Sequence, residues 1–173
     1  MSFVNVEIKA RTNNTDAIRN WLIDQKADFK GTDWQTDIYF NVSNGRLKLR
    51  QGNIENNLIF YLRPDQEGPK QSNFQLLKVD NPNLLSEMLA HSIGIKTVVR
   101  KKRDIYYMDN VKFHIDEVPG LGNFVEIEAG NINNDLSREQ LLEQCNYYMH
   151  ALNIEETDLL DRSYSDMILE KAI

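Results

Sequence analysis

Apolar and polar residues alternate along several stretches of the chain, beginning near the N-terminus with "VNVEIKAR" at residues 4–11. Successive side chains of a β-strand point to opposite faces, so this alternation predicts strands with one apolar and one polar face. The runs lie at 3–11, 46–51, 57–63, 74–79, 97–107, 111–116 and 123–129. Turn residues such as "NVSNG" and "MDN" separate some of them, which favours antiparallel neighbours.

Helical spacing of apolar residues appears in a smaller part of the chain. It is found at 15–28, at 82–92, at 137–152 and in "DLLDRSYSDMIL" near the C-terminus. Thr15 is the predicted N-cap of the first helix, and Ser137 and Gln140 form a capping-box pattern at the start of the third. Helices therefore flank the predicted strands.

Seven or eight antiparallel strands with a few helices predict an α+β domain built around a curved sheet or barrel. A length of 173 residues is typical of a single domain. The stretch "RPDQEGPKQS" at 63–72 is rich in Pro, Gly and polar residues and predicts a flexible connection.

The polar faces of the predicted strands collect charged residues, in several strands of like sign. Residues two apart share a face, which groups Glu7 with Lys9, Arg46 with Lys48 and Arg50, Lys101 with Arg103, His114 with Asp116, and Glu126 with Glu128. On any one strand, a polar face turned towards water is the more common explanation. Rows of like charge repel one another, however, so the whole set favours bound groups of opposite charge: an oligophosphate for the cations and a divalent metal for the carboxylates.

Composition and charge exclude several classes of protein. The formal net charge is −6, which argues against a broad nucleic-acid surface. No apolar run is long enough to span a membrane and the first residues do not resemble an export signal, so we expect neither membrane insertion nor secretion. The single cysteine, Cys145, has no internal partner for a disulfide, and a cytoplasmic location fits best. P-loop, dinucleotide-binding and zinc-ligand spacings are missing from the sequence.

Four motifs, in order along the chain, resemble those of the CYTH superfamily of triphosphate tunnel metalloenzymes. They are "NVEIK" at 5–9, "LKLR" at 47–50, "VRKKR" at 99–103 and "HIDEVPGLGNFVEIE" at 114–128, where the family has ExExK, LRxR, VxKxR and HLDxVxGLGxFxExE. The family includes class IV adenylyl cyclases, thiamine triphosphatases and inorganic triphosphatases. The resemblance is closest to the cyclase branch. It implies a single CYTH domain over residues 1–173 with an eight-stranded antiparallel β-barrel and flanking helices.

The resemblance also implies a site inside the barrel. The implied metal ligands, for Mg²⁺ or Mn²⁺, are Glu7, Asp116, Glu126 and Glu128. The implied substrate-binding cations are Lys9, Lys48, Arg50, Lys101 and Arg103, with Arg63 added because it shares a strand face with Tyr61. The implied catalytic residues are Glu7, Lys9 and Glu126, with Glu128 a further candidate for proton transfer. The GLG stretch at 120–122 is interpreted as a tight connection between strands.

One position departs from the family pattern and keeps alternatives open. Asn5 stands where the family has its first glutamate, so a neutral carbonyl oxygen replaces a carboxylate. The first hypothesis is a metal-dependent enzyme that converts ATP to cyclic AMP and pyrophosphate or hydrolyses a triphosphate. The alternatives are a thiamine or inorganic triphosphatase and a non-catalytic polyphosphate- or nucleotide-binding protein. The expected partner is a nucleoside or inorganic triphosphate, without nucleic acid or membrane, bound by a monomer or homodimer.

Overall fold

The strands of the chain close into an antiparallel barrel. The computed structural model describes residues 2–62 and 68–172, and in these residues the strands are β1 Ser2–Arg11, β2 Asp28–Phe40, β3 Arg46–Gln51, β4 Asn56–Leu62, β5 Lys70–Lys78, β6 Ile95–Met108, β7 Val111–Val118 and β8 Gly122–Gly130. They pair in the order β1, β5, β4, β3, β2, β6, β7, β8, and β8 returns to β1. The predicted α+β fold with an eight-stranded barrel is confirmed.

Helices cover the outside of the barrel and one of its ends. Within the described residues they are α1 Thr15–Asp24, α2 Pro82–Ile93, α3 Arg138–Ala151 and α4 Tyr164–Lys171, with a short 3₁₀ turn at Glu156–Asp158. The predicted capping box of α3 is present. No described helix combines the length and the apolar character that a membrane crossing requires.

The largest apolar core lies between the barrel wall and helices α1 and α3. Val6, Ile8 and Ala10 of β1 pack there against Leu22 of α1 and Leu141 of α3, all buried. A second outer cluster joins β2 and β3 to α2. Because the apolar faces of the strands turn outward to the helices, their polar faces turn inward, and the barrel has a polar interior.

Helix α4 closes one end of the barrel. Tyr164 and Met167 pack against apolar residues on the inner faces of the strands, including Tyr39 and Phe124. The preceding segment is tied to the end of β1, where the backbone N–H of Leu160 donates to the carbonyl of Lys9. The sequence predicts this helix but not its position at the barrel end.

Several predictions differ from the structure, including the C-terminal helix, which begins only at Tyr164 of the predicted stretch "DLLDRSYSDMIL". Strand β2 is absent from the predicted set because polar residues occupy both of its faces and a register shift at Gly31 interrupts its alternation. The N-cap of α1 is Asn14, not Thr15, and the helix ends at Asp24, four residues before the predicted end. Strand β5 begins at Lys70, inside the stretch predicted to be flexible, and residues 63–67 of that stretch lie outside the described residues.

The GLG stretch forms the expected tight connection between β7 and β8. Gly120 and Gly122 have φ angles of 81° and 116°, in the region that favours glycine. The turn aligns the inward-facing residues of the two strands, so that His114 is the register partner of Glu126. The motif thus positions the site without contributing a side chain to it.

Candidate active site

The inward faces of the strands line one cavity inside the barrel. The predicted cations that the structure describes all line it: Lys9 of β1, Lys48 and Arg50 of β3, and Lys101 and Arg103 of β6. Arg63, the remaining predicted cation, lies outside the described residues. Lys101 and Arg103 are 4% and 3% exposed, so their charges are held largely away from water.

Asp37 of β2 holds three of these cations together. Arg50 donates two hydrogen bonds to its carboxylate at 2.9 and 2.8 Å, and the Lys101 ammonium donates at 2.7 Å. The Lys48 ammonium lies 3.7 Å away. Burial opposes ionisation, but Arg50 and Lys101 prevail and hold the pKa of Asp37 well below its usual value. Asp37 is therefore a fixed counter-charge that sets where these cations point.

Arg103 is held by a second pair of carboxylates. It donates to both oxygens of Asp116, at 2.7 and 2.6 Å, and to Glu126 at 3.1 Å. The Tyr164 hydroxyl of α4 also donates to Asp116, at 2.7 Å. Asp116 is completely buried and does not line the cavity itself. Both of its carboxylate oxygens accept hydrogen bonds from Arg103 or Tyr164. Its role as a metal ligand therefore stays a prediction.

Glu126 connects three side chains of the cavity wall. Its carboxylate lies 3.4 Å from the Lys9 ammonium, 3.1 Å from Arg103 and 3.2 Å from Nδ1 of His114. Burial and the neighbouring Arg103 lower the pKa of His114, so a neutral imidazole is favoured. Nε2 of His114 has no hydrogen-bond partner within the described residues. His114 therefore makes a hydrogen bond to Glu126 inside the cavity.

Further oxygen ligands lie along β1 and β8. Glu7 and Glu128 are register partners on these strands, and both line the cavity. Asn5, one step along the same face of β1, is buried, and its carbonyl oxygen Oδ1 has no partner within the described residues. An unpaired buried oxygen beside two carboxylates is a donor set that suits a hard divalent cation.

This set is incomplete as a metal site on its own. Among residues 2–62 and 68–172, no three Asp, Glu, His or Cys side chains are arranged to hold a metal ion. Mg²⁺ characteristically binds through one or two carboxylates and completes its ligands with phosphate oxygens and water. The residues present therefore fit a metal that binds together with a phosphate group.

Helix α4 supplies the floor of the cavity. Ser163 and Tyr164 line it, and the Lys9 ammonium lies 3.9 Å from the centre of the Tyr164 ring, within cation–π range. Arg46 of β3 donates to the Ser163 hydroxyl at 2.8 Å and pairs with Asp166 at 3.0 Å. Arg46 thus holds α4 at the barrel end.

Sequence reasoning missed several residues of the cavity. Asp37 lies on the strand that was not predicted, Glu55 lies on the connection between β3 and β4, and Tyr164 comes from a helix. Lys112 shares its strand face with His114 and Asp116, and that parity was the available signal for it. No local pattern indicated Asp37, Glu55 or Tyr164, because their contacts with the cavity depend on the tertiary fold.

The charge of Lys101 is expected to change near neutral pH. Burial, with help from Arg50 and Arg103, lowers the pKa of its ammonium to about 7. The charged or titratable groups around it include Asp37 of β2, Lys48 and Arg50 of β3, Arg103 of β6, Asp116 of β7 and Tyr164 of α4. The ammonium carries its positive charge fully below that pKa and loses it above, so anion binding should weaken as pH rises.

We expect the affinity of the wild type for tripolyphosphate to approach that of Lys101→Met as the pH rises. Methionine at position 101 cannot titrate, so it serves as the uncharged reference. Calorimetric titration with metal-free tripolyphosphate should give about tenfold tighter binding by the wild type at acidic pH, the size of one charge-assisted contact. The two affinities should converge at alkaline pH. Comparison at each pH cancels the ionisation of tripolyphosphate itself. If the ratio of the wild-type affinity to the Lys101→Met affinity stayed constant across this pH range, the assigned titration of Lys101 would be wrong.

Comparison with known proteins places this geometry in a family. The family model of the CYTH domain matches residues 4–164. A protein of Methanocaldococcus jannaschii named "Putative adenylate cyclase MJ0240" is 26% identical over 176 residues, which cover 95% of this chain and 98% of that protein. The similarity therefore extends over nearly the full length of both.

Solved structures share the fold at lower sequence identity. The PH1012 protein from Pyrococcus horikoshii OT3 has a TM-score of 0.78 and 23% identity, covering 94% of this chain and 98% of that one. HpAC1 from Hippeastrum, whose description states a dominant triphosphatase activity, has a TM-score of 0.63 and 12% identity, covering 98% of this chain and 95% of that one. These similarities extend over nearly the whole length of this chain.

Proposed function

Because this chain belongs to the CYTH domain family, we propose that it is a divalent-metal-dependent enzyme that acts on a triphosphate inside its barrel. The first candidate reaction is the conversion of ATP to cyclic AMP and pyrophosphate. Hydrolysis of a triphosphate in the same cavity is the second. A cytoplasmic location is part of the proposal.

The observation that carries the proposal is the convergence of cations in a buried cavity. Its cationic lining residues include Lys9, Lys48, Arg50, Lys101 and Arg103, from three strands. Burying so many positive charges is costly unless anions neutralise them. Asp37, Asp116 and Glu126 provide part of that neutralisation. A triphosphate, with several negative charges in a row, would provide the rest.

The proposed roles follow from the positions of the described residues, and that of Arg63 rests on the sequence pattern alone. Lys9, Lys48, Arg50, Lys101 and Arg103, with Arg63, would bind the phosphates and neutralise charge that builds up during transfer. Glu7, Glu126 and Glu128 would hold Mg²⁺ or Mn²⁺, with Asp116 joining them if Arg103 turns away. The metal would neutralise phosphate charge when bound. Glu7, Lys9 and Glu126 would form the catalytic set.

Cyclisation requires a base near the α-phosphate. The ribose 3′-oxygen would bond to the α-phosphorus, the bond from that phosphorus to the oxygen bridging to the β-phosphate would break, and pyrophosphate would leave. The hydroxyl proton would pass to a carboxylate, for which Glu7, Glu126 and Glu128 are the candidates. Ile59, Phe74 and Leu76 give the cavity an apolar side, which suits the face of a nucleotide base better than an inorganic triphosphate.

Hydrolysis as the second candidate is favoured by the polar floor of the cavity and by the activity stated for HpAC1. Ser163, Tyr164 and Lys9 are the groups that a terminal phosphate would meet beside α4. Water would attack the terminal phosphorus, the bond from that phosphorus to its bridging oxygen would break, and orthophosphate would form while the diphosphate remainder leaves. A physiological preference for thiamine triphosphate or inorganic triphosphate would be a form of this reaction.

A substrate screen tests the proposal directly. Purified protein is incubated with ATP, thiamine triphosphate or tripolyphosphate, each with Mg²⁺, Mn²⁺ or a chelator, and the products are identified. Cyclic AMP with pyrophosphate would establish the cyclase, and orthophosphate would establish the hydrolase. Binding without turnover under every condition would instead support the non-catalytic binder, for which Asn5 is the main argument.

Restoring a carboxylate at position 5 should strengthen metal binding. Asn5→Glu adds a charged ligand on the same face as Glu7, where the orphaned oxygen of Asn5 now lies. We expect the Mn²⁺ affinity measured by calorimetry in the presence of tripolyphosphate to rise about tenfold, equivalent to about 1.4 kcal/mol. Asn5→Asp serves as a shorter charged comparison. Unchanged affinity in both variants would show that position 5 does not contribute to metal binding.

A further inference from the structure

Glu55 places a carboxylate between cations from two sides of the barrel. It follows β3, and its side chain lines the same cavity as the predicted site. One carboxylate oxygen lies 3.0 Å from Arg50 of β3, and the other lies 3.4 Å from the ammonium of Lys112 on β7. The Glu55 side chain is 14% exposed and that of Lys112 is 25% exposed. Neither residue belongs to the motifs that carry the family resemblance.

The backbone beneath Glu55 is fixed. Asp33 of β2, which is completely buried, accepts hydrogen bonds from the N–H groups of Ile54 and Glu55 at 2.9 and 3.0 Å. Gly52 is required for this arrangement, because a Cβ there would overlap the Asp33 carboxylate. The backbone of the connection between β3 and β4 is therefore clamped, so the Glu55 side chain, which also accepts from the Gln35 amide at 3.4 Å, can change its contacts only by rotating about its own bonds.

The electrostatic surroundings of Glu55 are those of an anion-binding site. Burial opposes its ionisation, but Lys112 and Arg50 prevail and lower the pKa of its carboxyl strongly. Lys112 is in turn the register partner of Glu128 on β8. Lys112 thus lies next to a proposed metal carboxylate, as a cation that binds a phosphate group of a metal-bound triphosphate would.

We infer that Arg50 and Lys112 form an anion subsite for one phosphate group of the substrate, and that the Glu55 carboxylate occupies this subsite until the substrate displaces it. The inference rests on the proposed function and adds Lys112 to the substrate-binding residues. A carboxylate and a phosphate group offer similar oxygens to the same donors. A side-chain rotation of Glu55 would exchange one for the other while Asp33 keeps the connection in place.

Substitutions of Glu55 and of Lys112 should change the affinity for tripolyphosphate in opposite directions. Glu55→Gln removes the internal competitor, so calorimetric titration with tripolyphosphate in the presence of a chelator should show about tenfold tighter binding than in the wild type. Lys112→Gln removes a ligand and should weaken binding about tenfold. Glu55→Asp keeps the charge but shortens its reach, and it should also bind more tightly than the wild type.

Matched controls lie on the outer face of the neighbouring strands. Lys102 and Glu117 are register partners on β6 and β7, and neither lines the cavity. Lys102→Gln and Glu117→Gln make the same chemical changes there, so they should leave the affinity within about twofold of the wild type. Circular dichroism establishes that each variant is folded, and Lys112→Gln and Glu55→Asp carry the test if Glu55→Gln does not fold.

The outcomes separate this inference from the proposed function. If the wild type binds tripolyphosphate but Glu55→Gln and Glu55→Asp bind it no more tightly, Glu55 only supports Arg50 and the inference is overturned. Wild-type affinity in Lys112→Gln would likewise remove Lys112 from the site. If neither the wild type nor its outer-face controls bind tripolyphosphate, or any triphosphate with metal, the proposed function fails and the subsite fails with it.

Discussion

Replacing Glu126 with glutamine is expected to reduce metal-dependent turnover of the triphosphate by at least about 10²-fold, the range found when one group that stabilises transition-state charge is removed. Its carboxylate contacts Lys9, Arg103 and His114 together, so the change alters the charge balance at the centre of the cavity. Glutamine keeps the volume and an oxygen acceptor. Alanine would remove both, and would leave Lys9 and Arg103 with less compensation in a buried site.

The measurement is the initial rate of product formation as a function of Mn²⁺ concentration, with the substrate that the screen identifies. Glu117→Gln is the control, because Glu117 is an exposed glutamate on β7 whose side chain does not reach the cavity. Wild-type rates and an unchanged Mn²⁺ dependence in Glu126→Gln would exclude Glu126 from the catalytic and metal-binding sets. Circular dichroism of the variant distinguishes lost chemistry from lost fold.

Strand parity explains why much of the cavity was predictable. A strand with alternating residues can bury its apolar face in only one direction, and here that direction is outward, beneath α1, α2 and α3. Lys9 and Arg50 therefore had to share the opposite, inward side. The parity of β6 left the direction of Lys101 and Arg103 open, because Arg100 and Lys102 give its other face a charge as well. The alternation does not by itself reveal that the polar side is enclosed. The motifs of the family supplied that expectation, and the closed order of the strands confirms it.

The missed residues depend on contacts that no local pattern encodes. Asp37 meets Arg50 and Lys101 only when β2 pairs with β3 and β6, and β2 itself lacks clear alternation. Tyr164 reaches Asp116 across 48 positions of sequence because α4 folds back over the barrel end. The periodicity of a helix gives its apolar side but not the element against which that side packs.

Three carboxylates inside the barrel neutralise part of the positive charge of the cavity. Asp37, Asp116 and Glu55 each neutralise cations that the proposed substrate would otherwise neutralise. Two of them are locked, since Asp37 and Asp116 make several short hydrogen bonds in buried surroundings. Glu55 is partly exposed and has a flexible side chain. The locked anions offset the charge of the buried cations, whereas the proposed exchange of Glu55 would make room for a ligand.

Because Asp37 neutralises several buried cations, Asp37→Asn should lower the stability of the protein strongly. The change leaves Arg50, Lys101 and Lys48 without their shared counter-charge in a site where Asp37 is 1% exposed. Removing one partner from a buried ion pair costs about 3–5 kcal/mol, so the free energy of unfolding should fall by that amount. Urea denaturation followed by circular dichroism measures the loss.

Tripolyphosphate should restore part of this stability, because a ligand that binds only the folded state stabilises it by mass action. At a pH acidic enough to keep Lys101 protonated, the variant cavity carries one more positive charge than the wild type, so its gain in stability at a given ligand concentration should be larger. Asp104→Asn is the matched control: Asp104 is also buried and paired with an arginine, but it contacts Arg19 and Thr32 outside the cavity. Asp104→Asn should lose stability and gain no more from tripolyphosphate than the wild type does. An equal ligand response in Asp37→Asn and Asp104→Asn would mean that Asp37 supports the fold without shaping the anion site.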